Sequence, residues 1–113
     1  MLMDISTFFF YVLFLSHNMR FYTYILSNYA RTTFYIGVTN NLEVRLAQHR
    51  NGEGGMFTSK YKCHYLMYYE EYTNINDAIA REKNLKNWHR EWKINLIRKD
   101  NPELKDLSEG RFV

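Results

Sequence analysis

Arg45 and His49 are four residues apart and therefore stack on one face of a helix. Leu42 and Leu46 lie beside them, so the pair borders a buried stripe instead of pointing to open solvent. A guanidinium in that position can grip a phosphate bidentately, and an imidazole can accept a proton near neutral pH. Glu82 is the second anomaly. Ile75, Ala78, Ile79 and Leu85 define the apolar face of a helix, and at 100° per residue Glu82 falls in its middle. A carboxylate buried among aliphatic side chains is costly unless it is paired or bound to a metal. Lys86, one turn on, offers an i,i+4 ion pair; magnesium or manganese would also accept such a carboxylate, with water filling the remaining positions. Tyr24 and Tyr35 complete the set. In a hairpin whose loop is centred on Tyr29 and Ala30 they face each other across two strands, as an aromatic pair or as two phenols at one site.

A basic zone follows. Residues 81–99 carry Arg81, Lys83, Lys86, Arg90, Lys93, Arg98 and Lys99 against Glu82 and Glu91, a local excess larger than the net +3 of the whole chain. Such a face suits the phosphates of DNA, with Arg81, Lys83, Lys86, Arg90 and Lys93 as contacts. Trp88 and Trp92 are interleaved with it, either as base-stacking rings or as core.

These residues need elements to position them. From Phe21 to Leu26 aromatic and β-branched residues alternate as in a strand. The polar stretch Ser27 to Thr32 separates it from a second strand, Thr33 to Val38, and so short a connection makes an antiparallel hairpin. Gly37 reads as a bulge or a tight strand end. Asn40 caps the next helix with Glu43 as its capping-box partner, and that helix runs to Arg50, before Asn51-Gly52. Residues 51–60, with three glycines, read as a flexible loop. Tyr65 to Tyr72 is a third strand, with Leu66, Tyr68 and Glu70 alternating against Met67, Tyr69 and Glu71. A helical zone from Ile75 to Lys99 breaks near His89-Arg90 and is closed by Asn101-Pro102. The order β-β-α-β-α-α describes an α+β fold, a three-stranded antiparallel sheet flanked by helices.

At 113 residues there is room for one domain. Aromatic residues make up 18% of the chain, a composition that excludes a disordered protein, and the net charge of +3 favours an anionic partner. The single Cys63 cannot form an internal disulfide, which suits a reducing cytoplasm, and no Cys-x-x-Cys or His-x-x-x-His pair offers zinc a site. Residues 5–15 form an apolar run about half the length a membrane-spanning helix needs, and they lack the flanks of a secretory signal. Residues 1–18 are expected to be an extension ahead of a working domain, 19–113, with no stable membrane association; a short membrane or partner anchor is the rival reading.

Taken together, these positions resemble the GIY-YIG nuclease superfamily, in particular its small one-domain branch similar to the nuclease domain of the excision-repair subunit UvrC. The likeness covers residues 20 to about 107. Tyr35-Ile36-Gly37 matches the second half of the family's name, and Arg45-x-x-x-His49 falls where its helix carries an arginine and a histidine. Glu82, inside Ala80-Arg-Glu-Lys83, stands where the family places its metal-binding glutamate, and Asn101 resembles its late asparagine. Two positions depart from the pattern. The first half of the name survives only in Tyr24, and the lysine that follows Tyr-Ile-Gly in the excision-repair relatives is Val38 here, with His49 as its substitute. The resemblance implies a DNA endonuclease using one Mg2+ or Mn2+ ion on Glu82, with Tyr24, Tyr35, Arg45, His49 and Asn101 as further site residues. It also implies double-stranded or branched DNA as partner and a role in DNA repair or processing. The competing readings are a catalytically weak nucleic-acid-binding module of the same fold and, from residues 5–15, an interaction or membrane-tethered domain.

Overall fold

A computed structural model of the chain describes residues 19–109, with Ile5 and Ser6. The remainder of the expected extension lies outside the described residues, as do residues 110–113. Strands β1 (Phe21–Ser27) and β2 (Phe34–Thr39) are followed by helices α1 (Leu42–Arg50) and α2 (Met56–Tyr61), strand β3 (Tyr65–Tyr72), and helices α3 (Ile75–Asn87) and α4 (Arg90–Asp100). The α+β class, the three-stranded antiparallel sheet and the strand positions are as the residue pattern predicts, and α2 is an addition to the expected order.

The sheet order is β2-β1-β3, so β1 is central and both its neighbours run antiparallel to it. Residues Thr23 to Ser27 of β1 are all buried, because helices cover both faces. On one face Tyr24, Leu26 and Leu66 pack with Leu42 and Leu46 of α1 and with Cys63. On the other, Ile25, Ile36, Met67 and Tyr68 pack with Leu85 of α3 and Ile97 of α4. The result is helix, sheet, helix, with a core in each gap.

Three local expectations are corrected. The hairpin loop is centred one residue later, between Ala30 and Arg31, so Tyr24 lies opposite Gly37 and Tyr35 opposite Leu26. Asn28 sets this length: its Oδ1 accepts from the backbone N–H groups of Thr32 (2.9 Å) and Thr33 (3.1 Å), while Arg31 takes the left-handed conformation at φ 59°. A shift of two residues in pairing preserves the face, so both tyrosines still share it. The α1 cap is Asn41, not Asn40; its Oδ1 accepts from the N–H of Val44 at 3.1 Å. In β3 the simple alternation fails at a bulge, where Ile25 pairs with Tyr68 and Leu26 with Leu66. Met67 is the extra residue, and it and Tyr68 face the same core.

Candidate active site

Tyr24 crosses Gly37. A Cβ added to Gly37 would stand 2.5 Å from Tyr24 Oη, 2.6 Å from its Cζ and 3.0 Å from Tyr35 Cε1. The glycine is therefore neither a bulge nor a strand end. It clears the space in which the two phenols, 6.3 Å apart between ring centroids, lie side by side over β2.

Helix α1 brings His49 beneath them. Its imidazole is fully buried, 5.3 Å from the Tyr35 ring between centroids, and its Nε2 is 2.9 Å from Tyr24 Oη. The other ring nitrogen, Nδ1, lies 3.0 Å from Thr58 Oγ1, and the Thr58 hydroxyl donates to the carbonyl of Gly55. In the tautomer that satisfies all three contacts, Thr58 accepts from Nδ1–H and Nε2 accepts from the Tyr24 hydroxyl. Gly54 closes the pocket, since a Cβ there would come within 2.0 Å of His49 Nδ1. The segment expected to be a flexible loop is thus a tight cover followed by the helix α2, which carries Thr58 into the site.

Burial pushes the His49 pKa down to about 4, aided by the charges of Arg45 and His64, so the ring is neutral. Burial also pushes Tyr24 up to about 12; Arg45 pulls the other way, and Tyr35 and Glu82 add to the rise. Arg45, half-buried, donates to Gln48 Oε1 at 2.9 Å and to the Gly54 carbonyl at 3.3 Å. Burial works against its charge, but the Tyr24 and Tyr35 phenols beside it more than offset this, and its pKa is raised. Glu82 comes from α3, close enough for its charge to act on Tyr24. Its side chain is 19% exposed, and its carboxylate pairs with Lys86 Nζ at 2.6 Å. Among the described residues no group of three or more His, Cys, Asp or Glu could hold a metal ion, so Glu82 is a lone carboxylate in this cluster.

The structure thus gathers Tyr24, Tyr35, Arg45, His49 and Glu82 from β1, β2, α1 and α3. A family model, the GIY-YIG catalytic domain, matches residues 20–95, the stretch that supplies all five. The chain belongs to the GIY-YIG family. Its similarity to a UPF0213 protein of Pediococcus pentosaceus is 34% identity over 87 residues, covering 77% of this chain and 90% of the relative. A UPF0213 protein of Clostridium perfringens is 38% identical over 76 residues, covering 67% and 81% respectively. The fold is shared with a UPF0213 protein of Bacillus halodurans solved by solution NMR, at a TM-score of 0.51 and 21% identity, covering 84% of this chain and all of that one.

Asn101 stands apart from the GIY-YIG cluster. It is buried at the end of α4, where its Nδ2 donates to the carbonyls of Met67 (3.1 Å) and Lys105 (2.8 Å) and its Oδ1 accepts from Lys105 N–H (3.0 Å). It serves the carbonyl of the bulged residue and fastens the C-terminal segment to β3. The expected DNA-contacting residues also divide. Arg81 is held by Glu70 through two bonds of 2.9 and 3.0 Å and lies over Trp88, Lys86 is paired with Glu82, and Lys83 is exposed. Arg90 donates to the Thr32 and Arg31 carbonyls and lies over Phe34, with Lys93 half-buried beside it. Trp88 packs on the core of its face and Trp92 is exposed.

Residue types alone did not point to Thr58, Gly54 or Phe57. Phe57 touches Tyr35 at 6.0 Å between centroids. The available signal was its i,i+4 spacing from Tyr61, which marks one helix face.

Among the described residues no helix is long and apolar enough to cross a membrane.

Proposed function

We propose that this GIY-YIG domain is a metal-dependent DNA endonuclease in which Tyr35 takes the proton of the attacking water. The observation that carries the reading is the pair of phenols set side by side over Gly37, 6.3 Å apart between centroids, with the charges of Arg45 and Glu82 near enough to act on Tyr24. Glu82 with water and a substrate phosphate is a donor set that Mg2+ or Mn2+ accepts, whereas the cluster offers no cage of protein ligands. Bound there, the ion would act as Lewis acid at the scissile phosphate and the departing 3′-oxygen. Glu82 would hold it by giving up Lys86, whose ammonium would then be free for a DNA phosphate.

Exposure separates the roles of the tyrosines. Tyr24 is fully buried and donates to His49, so it cannot meet an incoming water. Tyr35 is only partly buried, so its own proton can leave to solvent, and the resulting phenolate, facing the positive charge of Arg45, then takes the proton of the attacking water. Arg45 also neutralises the charge that accumulates on the pentacovalent phosphorus. The chain Tyr24–His49–Thr58 fixes the geometry beneath: a neutral imidazole between two hydroxyls holds Tyr24 against Gly37 and Tyr35 in place above it. Asn101 supports the frame from a distance.

A second reading has an observation of its own. The Glu82–Lys86 pair already neutralises the carboxylate, as in a module that binds DNA without cutting it. Incubation of plasmid and branched DNA with Mg2+, Mn2+ or EDTA separates the two. The nuclease reading expects metal-dependent cutting that falls at least about a hundredfold in Glu82→Ala with the fold unchanged. Salt-sensitive binding with no cutting under any metal would establish the binding module instead.

A further inference from the structure

We infer that the groove between α2 and α4 is a stacking subsite for one unpaired deoxynucleotide of the substrate strand, next to the scissile phosphate. The inference deepens the endonuclease reading and rests on it for the placement of the scissile bond. The groove has a volume of about 400 Å3, within the range of small-ligand sites, and is lined by Thr32, Thr33, Phe34, Phe57, Tyr61, Arg90 and Lys93.

Three properties of this lining point to a nucleotide. The first is aromatic surface held open to solvent. Phe57 and Tyr61 are 43% and 42% exposed, and Met56 of the same six-residue helix is 91% exposed. Single exposed apolar residues are ordinary, but three on so short a helix form a patch. The second is charge. The lining holds two cations and no carboxylate, and among the described residues Lys93 has no ion-pair partner. Arg90 is already fixed by the Thr32 and Arg31 carbonyls and by the Phe34 ring, so its charge stands in place before any ligand arrives. Two adjacent cations beside aromatic rings are suited to a phosphate and its base. The third is continuity. The rings run from Tyr35 to Phe57 at 6.0 Å and from Phe57 to Tyr61 at 4.8 Å, so the groove begins at the proposed base. A nucleobase stacked against Phe57 or Tyr61 cannot remain paired inside a duplex, which makes an unstacked strand, as at a flap, gap or frayed end, the form that fills this groove.

The test uses binding, with the full chain carrying Glu82→Ala and with EDTA present, so that its outcome does not depend on cutting. Single-stranded oligodeoxynucleotides with one abasic site moved along the sequence are titrated against this protein. One position is expected to weaken binding about tenfold, and 2-aminopurine at that position is expected to lose fluorescence on binding. Phe57→Leu with Tyr61→Leu keeps apolar volume but removes the ring faces, and should abolish both effects. Lys93→Ala should leave the fluorescence loss in place and lower the slope of log K against log salt by about 0.7. Equal affinity at every abasic position, or unaltered 2-aminopurine quenching in the double leucine variant, would overturn the subsite. A stacking position found in a protein that never cuts DNA would keep the subsite and remove the endonuclease reading. The reverse result would do the opposite.

Discussion

The two faces of the sheet each carry a cluster of tyrosines, a carboxylate and an arginine, and they are wired differently. On the α3 face, Glu70 accepts from Nε and Nη2 of Arg81 and, at 2.5 Å each, from the hydroxyls of Tyr68 and Tyr72. Burial alone would raise the Glu70 pKa, but Arg81 and the two phenols hold it below the usual carboxylate range. Every strong group there is consumed by a neighbour. On the α1 face, Tyr24, His49 and Thr58 form a similar closed chain, but Arg45 and Tyr35 stay partly exposed at its rim, where Glu82 reaches in from α3 with only the exposed Lys86 as its partner. The same residue types therefore make a brace in one place and a site in the other. What distinguishes them is whether hydrogen bonding closes on itself.

The sharpest way to break that contrast is to remove one hydroxyl at a time. Tyr35→Phe should lower cleavage by about 10^2- to 10^4-fold, the range for loss of a general base, with the fold and DNA binding kept. Tyr24→Phe removes a hydroxyl whose partner is internal, so it should cost stability and change the rate by no more than about tenfold. Single-turnover cleavage rates with thermal melts of both variants make the comparison. A reversed ranking would assign the base to Tyr24 and require water to reach a fully buried phenol.

The brace has its own prediction of intermediate size. Arg81→Met should destabilise the fold by about 2–3 kcal/mol, because Glu70 is left part-buried without its bidentate partner. Cleavage per folded molecule should be unchanged, and so should the salt dependence of DNA binding. Urea unfolding alongside binding at several salt concentrations measures both. A fall in the salt slope without loss of stability would return Arg81 to the set of DNA contacts that its position in the basic zone implies.

The extent to which these clusters could be read from residue order has a physical pattern. Helix phase placed Arg45 beside His49 and put Glu82 against an apolar face, and strand alternation placed β1 and β3, because these depend only on local periodicity. The hairpin register depended on one side chain, Asn28, whose two accepted hydrogen bonds lengthen the turn. The bulge at Met67 depended on Asn101 serving its carbonyl from 34 residues away, so the burial of Asn101 was visible only in three dimensions. Arg81 and Arg90 look equivalent in sequence, yet Glu70 has taken one while only carbonyls and a ring hold the other. Chain order records which charges are present. Which of them remain unspent is decided by contacts that cross the fold.

An effect of similar size, confined to one pH window, concerns the closed chain beneath the site, through His49. Its folded-state pKa of about 4 lies below the ordinary histidine value of 6.5, so between those values the unfolded chain binds the additional proton. Stability from this group is complete above about pH 7 and declines as pH falls through 6.5 toward 4. The expected loss over that window is roughly 2–3 kcal/mol. His49→Gln, which retains an acceptor for Tyr24, should lower stability at pH 7 but flatten the pH dependence between 4 and 6.5. Denaturant unfolding of both proteins across that range isolates the contribution, since other titrating groups remain common to the two. If both curves fell in parallel, His49 would already be charged in the fold. Its Nε2 would then be a donor, the Tyr24 hydroxyl would have to accept, and the Tyr24 proton would be freed toward the site. The division between a closed chain below and an open rim above would then have to be redrawn at Tyr24.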